Sequence, residues 1–170
     1  DVRHEATFLM WPTSRAVYSD RWHLQEVQET IAALANLIAD FEPVILLAEG
    51  ALHGSLRRRM ARGVTLWDIP TDDLWARDAG PLFLRNGAAR AVSGLQFNGW
   101  GGKQPVPNDA RVSRAVAARL GLPVLPSALK GEPGGVEQDG HGLLMAHESS
   151  WVIANRNPGQ SRAAVERALL

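Results

Sequence analysis

Cysteine is absent from the 170 residues. That removes disulfides, zinc–thiolate sites and a cysteine nucleophile from this chain. It assigns no compartment, because a chain without thiols persists in reducing and oxidising surroundings alike. Neither sign of charge is in excess: 18 Lys and Arg balance 18 Asp and Glu, for a formal net charge of zero. A phosphate backbone or an anionic membrane surface attracts a basic surplus, so nucleic-acid and membrane partners are not expected. Arg57-Arg58-Arg59 is a local basic cluster and reads as the solvated face of a helix. No apolar run is long enough to span a bilayer. The chain opens at Asp1 with neither an initiator Met nor a signal peptide, which reads as a cut or processed product. The expected location is the cytoplasm, with an upstream export signal as the alternative.

What is present is an ordinary globular composition, 45% hydrophobic and 21% charged, enough for one domain with a sizeable core. Short β-rich runs alternate with helical stretches. Residues 6–11 read as a strand stopped by Pro12. Asp20 or Ser19 caps a helix to about Phe41, with Leu24, Val27, Ile31, Leu34, Ile38 and Phe41 forming one core-facing stripe. Residues 44–47 read as a buried strand, 50–62 as a helix ended by Gly63, and 64–69 as a strand. Further strands are expected at 74–77, 81–84 and 88–92, the last two joined by the turn Asn86-Gly87. Residues 97–103, FNGWGGK, read as a loop. Asn108 caps a helix to Leu120 closed by Gly121 and Pro123, and 124–125 form a short strand. Residues 131–159 read as strands separated by glycine turns, and Ser161 caps a last helix. That helix ends at Leu169-Leu170, apolar and without a cap. The expectation is a polypeptide that continues past Leu170, or a partner chain that supplies the remainder.

Chemistry concentrates in DDLWARDAGP (72–81), with three carboxylates, a guanidinium and an indole in seven residues. A carboxylate beside an aromatic face suits a guanidinium ligand: the carboxylate accepts two parallel N–H bonds while the ring stacks on the planar cation. In a strand, Trp75 and Arg77 would share one face, and Ala76 and Asp78 the other. The spacing equally allows a structural Arg–Asp network at a strand end. The three glycines of FNGWGGK permit close backbone approach. They do not form a phosphate loop, because Gln104-Pro105 follows Lys103 where a Ser/Thr and a helix would be needed. Glu137, Asp139, His141 and His147 could form an oxygen/nitrogen metal site, and with it a metal hydrolase, on a straight strand. Gly140 and Gly142 predict a hairpin turn that breaks this alignment, so no metal is expected. His4, His23 and His53 have no ligand-spaced partner.

Four stretches in order, DDLWARDAGP, FNGWGGK, GEPGGVEQDGHG (131–142) and NRNPG (155–159), together with HEATFLMWP (4–12), resemble the agmatine deiminase and bacterial-type peptidylarginine deiminase family. The resemblance covers essentially the whole chain. It implies an α/β pentein propeller of ββαβ units, with residues 1–170 as a single, incomplete domain forming about the N-terminal half. It implies hydrolysis of a guanidino group, of agmatine or peptidyl-arginine, to a ureido group with release of ammonia; the alternative is a non-catalytic pentein fragment or guanidinium-binding module. In that chemistry a cysteine attacks the guanidinium carbon, carboxylates hold the nitrogens and a histidine moves protons. By position, the resemblance makes Asp78 the carboxylate that binds the substrate guanidinium. In the same resemblance Trp75 lines the same pocket, Glu132 lies at its rim, and Trp100, in the FNGWGGK loop near the site, is a further substrate-binding residue. Arg77, Asp73 and Asn98 become structural residues at the site. No catalytic residue is expected within this chain, because the G-H-x-D histidine motif and the cysteine motif are absent. No cofactor is implied. The implied partners are a small-molecule or peptide guanidino substrate, and a second copy or a companion chain completing the propeller. The sequence departs from the pattern at Asp72, Ala79 and Pro133, the last standing for a glycine and removing an N–H donor.

Overall fold

The computed structural model describes residues 4–170. The chain is mixed α/β and divides into two compact units. The first comprises the residues up to Ala76 with Val106–Asp109, and the second Arg77–Pro105 with Ala110–Leu170.

The first unit is built on a parallel three-stranded sheet in the order β1 (Thr7–Met10), β2 (Val44–Ala48), β3 (Val64–Asp68). The register sets Leu9, Leu46 and Leu66 side by side. Strand β2 is apolar at all five positions, as suits a parallel strand covered on both faces. Helix α1 (Arg21–Ile38) connects β1 to β2, and the Asp20 carboxylate caps it by accepting the Trp22 N–H at 2.7 Å. Its buried residues Ile31, Ala32 and Ala35 pack with Trp11, Val44, Leu46, Leu56, Val64 and Leu66. The helix stops three residues short of the expected Phe41. Leu34 of the expected stripe is 40% exposed, with the small Ala32 and Ala35 buried in its place, and Phe41, past the helix end, is 84% exposed. The expected helix over 50–62 is shorter: a 3-10 turn at Gly50–Leu52 and helix α2 (His53–Arg57). Arg57, Arg58 and Arg59 are exposed, and the Arg59 guanidinium lies 5.4 Å from the Trp11 ring centroid.

The expected strand at 74–77 does not form. A helical turn, α3 (Ala76–Ala79), takes its place. The Asp73 carboxylate accepts the Leu74 N–H at 2.7 Å, which turns the chain locally instead of leaving that donor for a ladder. Gly80-Pro81 then ends the turn. The alternation of faces expected for residues 75–78 is lost with the strand.

In the second unit, β4 (Phe83–Asn86) and β5 (Ala89–Gln96) form the expected antiparallel hairpin, with Gly87 at φ +57° in its turn. Strand β6 (Val124–Lys130) runs parallel to β5 and is longer than the two-residue strand expected. Helix α4 (Asp109–Leu120) connects them and buries Val112, Val116 and Ala117 completely. Residues 131–159 form less strand than expected: only a hairpin of β7 (Val136–Gln138) and β8 (Leu144–Ala146), followed by the helical turn α5 (Glu148–Trp151). Ser161 caps helix α6 (Arg162–Leu169) through its Oγ, which accepts the Ala164 N–H at 3.2 Å. Leu129, Val136, Trp151 and Val165 form the core here. Among the described residues no helix is long and apolar enough to cross a membrane.

Candidate functional site

The second unit draws four distant stretches together around Asp78. The first is α3, which carries Arg77 and Asp78. Arg77 is exposed, and its Nη2 donates to Glu137 Oε1 at 3.2 Å and to the Val136 carbonyl at 3.5 Å. That spends the guanidinium on the start of β7. Asp78 is half-buried.

The second stretch is the glycine-rich loop. Gly99, Trp100, Gly101 and Gly102 all have φ between +57° and +81°, one turn of left-handed helix. Glycine adopts this conformation freely, whereas an L side chain there costs about 1–2 kcal/mol. Trp100 is the only non-glycine residue at positive φ among those described. Asn98 caps the turn by accepting the Gly101 N–H at 2.9 Å. Phe97 packs edge-on against Trp100, with ring centroids 5.0 Å apart. The result aims the indole: Trp100 Nε1 donates to Asp78 Oδ2 at 3.3 Å.

The third stretch is GEPGG. Pro133 occupies the first position of a 3-10 turn, Pro133–Gly135. The nitrogen at that position has no partner inside a helical turn, so the N–H lost to proline was not needed there. Gly134 lies flush against Asp78, and a Cβ at this position would fall on Asp78 Oδ1. Glu132 is buried, and both its oxygens are occupied by Arg156, with Nη2 to Oε1 at 2.6 Å and Nε to Oε2 at 3.1 Å.

Arg156 belongs to the fourth stretch, NRNPG. Asn155 accepts from Asn98 Nδ2 through its carbonyl at 3.0 Å. Asn157 is buried and pins the segment: its Oδ1 accepts the Lys130 N–H, and its Nδ2 donates to the Lys130 and Trp151 carbonyls, each at 2.9 Å. Trp151 Nε1 donates to the Gly135 carbonyl at 3.0 Å.

The electrostatics single out Asp78. Burial raises its pKa above the ordinary carboxylate value, and the Glu132 charge adds to the rise. The Trp100 hydrogen bond and the Arg77 charge oppose it. Yet no cation pairs with Asp78 among the described residues, because Arg77 faces Glu137 and Arg156 faces Glu132. A half-buried carboxylate with one neutral donor and no cationic partner retains capacity for a ligand cation.

In the first unit, Trp75 is 49% exposed and directly precedes α3. Asp73 is buried and accepts hydrogen bonds from Tyr18 Oη and the Leu74 N–H. Asp72 and Asp109 clasp each other's backbone. Asp109 accepts the N–H groups of Asp72 and Asp73 at 2.7 and 3.1 Å. Asp72 accepts those of Asn108 and Asp109 at 2.7 and 3.3 Å. Burial of this anionic cluster pushes Asp109 up to about 7 and raises the Tyr18 phenol well above its ordinary value.

The acidic and histidine residues of the β7–β8 hairpin do not converge. Asp139 accepts the N–H groups of His141 and Leu143, Glu137 faces Arg77, and His147 Nδ1 lies 2.9 Å from Ser149 Oγ. Among the described residues no group of three or more His, Cys, Asp or Glu is placed to hold a metal ion. Sequence reading took Arg156 and Asn157 only as part of the NRNPG motif and Gly134 only as part of a bend, gave none of the three a role of its own, and did not single out Asp109. An arginine between two asparagines, closed by Pro-Gly, was the signal available for the first two.

The profile of the Porphyromonas-type peptidyl-arginine deiminases matches residues 2–170. The agmatine deiminase of Pseudomonas aeruginosa is 34% identical over 179 residues, which takes in 98% of this chain and 47% of that protein. The agmatine deiminase of Ectopseudomonas mendocina is 33% identical over 177 residues, again 98% and 47%. The solved structure of the agmatine deiminase of Enterococcus faecalis superposes with a TM-score of 0.87 at 25% identity, covering 97% of this chain and 47% of that one. The chain spans about half the length of the curated relatives it matches.

Proposed function

This chain belongs to the Porphyromonas-type peptidyl-arginine deiminase family, and from that premise we propose that it supplies the guanidinium-binding half of a hydrolase acting on the C–N bonds of agmatine or peptidyl-arginine. The observation that carries this reading is Asp78, half-buried, bonded by the Trp100 indole and with no cation paired to it among the described residues. A substrate guanidinium would donate two N–H bonds to the carboxylate. Trp75, exposed and just upstream, would cover the planar cation, with Trp100 and Glu132 at the rim.

Hydrolysis then needs a nucleophile at the guanidinium carbon. It forms a tetrahedral centre, ammonia leaves, and water releases the ureido product. The chain has no cysteine, so in this proposal the cysteine and the proton-moving histidine come from outside these residues, either further along the same polypeptide or from a companion chain. The two α/β units correspond to part of a pentein propeller. No cofactor is required, and the location is cytoplasmic. Taken alone, the 170-residue chain binds guanidinium compounds without turning them over.

The test supplies the complete gene product with agmatine and with a peptidyl-arginine, and follows ammonia and ureido product. Product from either supports the reading and selects the substrate; product from neither refutes it. Turnover by the pure 170-residue chain would contradict the division of labour.

A further inference from the structure

The Glu132–Arg156 pair is nearly withdrawn from solvent, with side chains 10% and 9% exposed. Its fork uses both carboxylate oxygens. A buried ion pair of this kind roughly breaks even against an apolar replacement, so stability alone is a weak reason for it. Its placement is more telling. Gly134, two residues after Glu132, touches Asp78, and the Glu132 charge reaches Asp78 and opposes its ionisation. Were Glu132 without a counter-charge, two carboxylates would share one half-buried site, and one of them would hold a proton. Arg156 prevents this. It is held in place by its neighbour Asn157, through three hydrogen bonds to Lys130 and Trp151.

We propose that Arg156 is a positioning residue that acts through Glu132. As an internal guanidinium it occupies and neutralises that carboxylate, so the part of the site built by these residues presents one net negative charge, on Asp78, to the substrate guanidinium. This rests on the reading of Asp78 as the substrate carboxylate. The charged groups facing Asp78 are Glu132 and Arg77, and the Trp100 indole is its hydrogen-bond donor. The Arg77 charge is directed to Glu137. The Glu132–Arg156 pair therefore decides whether a second anion competes for the substrate cation and for the proton.

The experiment labels aspartate carboxyl carbons with carbon-13 and follows the titration midpoint of Asp78 by NMR, with D78N to assign the resonance. Removing the internal cation in R156Q should raise the midpoint by about one pH unit, a tenfold change in proton affinity. Removing the anion in E132Q should lower it. The double variant E132Q/R156Q should return it to within a few tenths of a unit of the wild-type value. Midpoints that stay put in all three, or that move in the same direction in R156Q and E132Q, overturn the proposal, since a merely structural pair predicts no opposed shifts. Should R156Q fail to fold by circular dichroism, E132Q and the neutral double variant decide it. Calorimetric titration with methylguanidinium, on wild type and D78N, runs alongside. Binding that survives in D78N sinks the reading of Asp78 and this inference with it. Binding lost in D78N without opposed midpoint shifts sinks the role of Arg156 alone.

Discussion

Trp100 donates its indole N–H to Asp78 Oδ2 at 3.3 Å from a backbone with φ of +57°. A strained conformation is kept where the surrounding structure over-determines it, and such conformations gather at functional sites. The glycines on either side make the left-handed turn affordable, and Asn98 and Phe97 fix its direction. Trp100→Phe keeps the ring and deletes the donor. Losing one neutral hydrogen bond of about 1 kcal/mol should weaken methylguanidinium binding roughly fivefold. It should also move the acid limb of binding to higher pH, because the bond that favours ionised Asp78 is gone. Calorimetry across a pH series checks both.

Gly134→Ala places a methyl group on the Asp78 carboxylate. The backbone there is not in the left-handed region, so the cost falls on the carboxylate and not on the chain. Turnover of the complete protein should fall by about tenfold or more with little change in Tm, since misplacing a reacting group by about 1 Å costs on the order of a hundredfold. Steady-state kinetics paired with thermal melting measure the two effects separately.

Asp109 gives a pH dependence of stability with a definite sign. Burial raises it from the ordinary carboxylate value of 3.8 to about 7, so the folded chain holds this proton more tightly than the unfolded chain. The group favours the fold fully below about pH 4, and that contribution, on the order of 4 kcal/mol, is lost as pH rises to about 7. Asp109→Asn cannot ionise. The stability difference between wild type and variant should therefore shift against wild type between pH 4 and 7 and level off above. Urea denaturation at four or five pH values provides the curve.

Asn157→Ala removes the three hydrogen bonds that tie NRNPG to Lys130 and Trp151. It leaves buried backbone groups unpaired, at a cost of about 2–4 kcal/mol. The urea midpoint should fall at unchanged slope, and guanidinium binding should weaken because Arg156 loses its neighbour's anchor.

Much of this was legible in the sequence. The apolar runs at 44–47 and 64–69 marked β2 and β3, Asn86-Gly87 marked the hairpin, and Asp20 and Ser161 marked helix starts, because each signal is local chemistry acting on its own neighbours. Residues 74–77 misled. Their composition suits a strand, but the Asp73 carboxylate captures the Leu74 N–H and the chain turns helical. The stripe on α1 was overdrawn because small Ala32 and Ala35 make the close packing, and Leu34 stays outside. At the site, DDLWARDAGP and FNGWGGK announced themselves by composition. The Arg156–Glu132 fork spans 24 residues and the Asp72–Asp109 clasp spans 37. Pairings at that separation depend on how the elements pack, and no local pattern encodes them.

The most direct test of the central claim is ammonia release from the preferred guanidino substrate by the complete gene product, wild type against Asp78→Asn. Asparagine keeps the shape and removes the charge that grips the cation. The account predicts a fall in kcat/KM of about a thousandfold or more with the fold intact. A variant that retains activity within a few-fold of wild type would contradict the assignment of Asp78 as the guanidinium carboxylate.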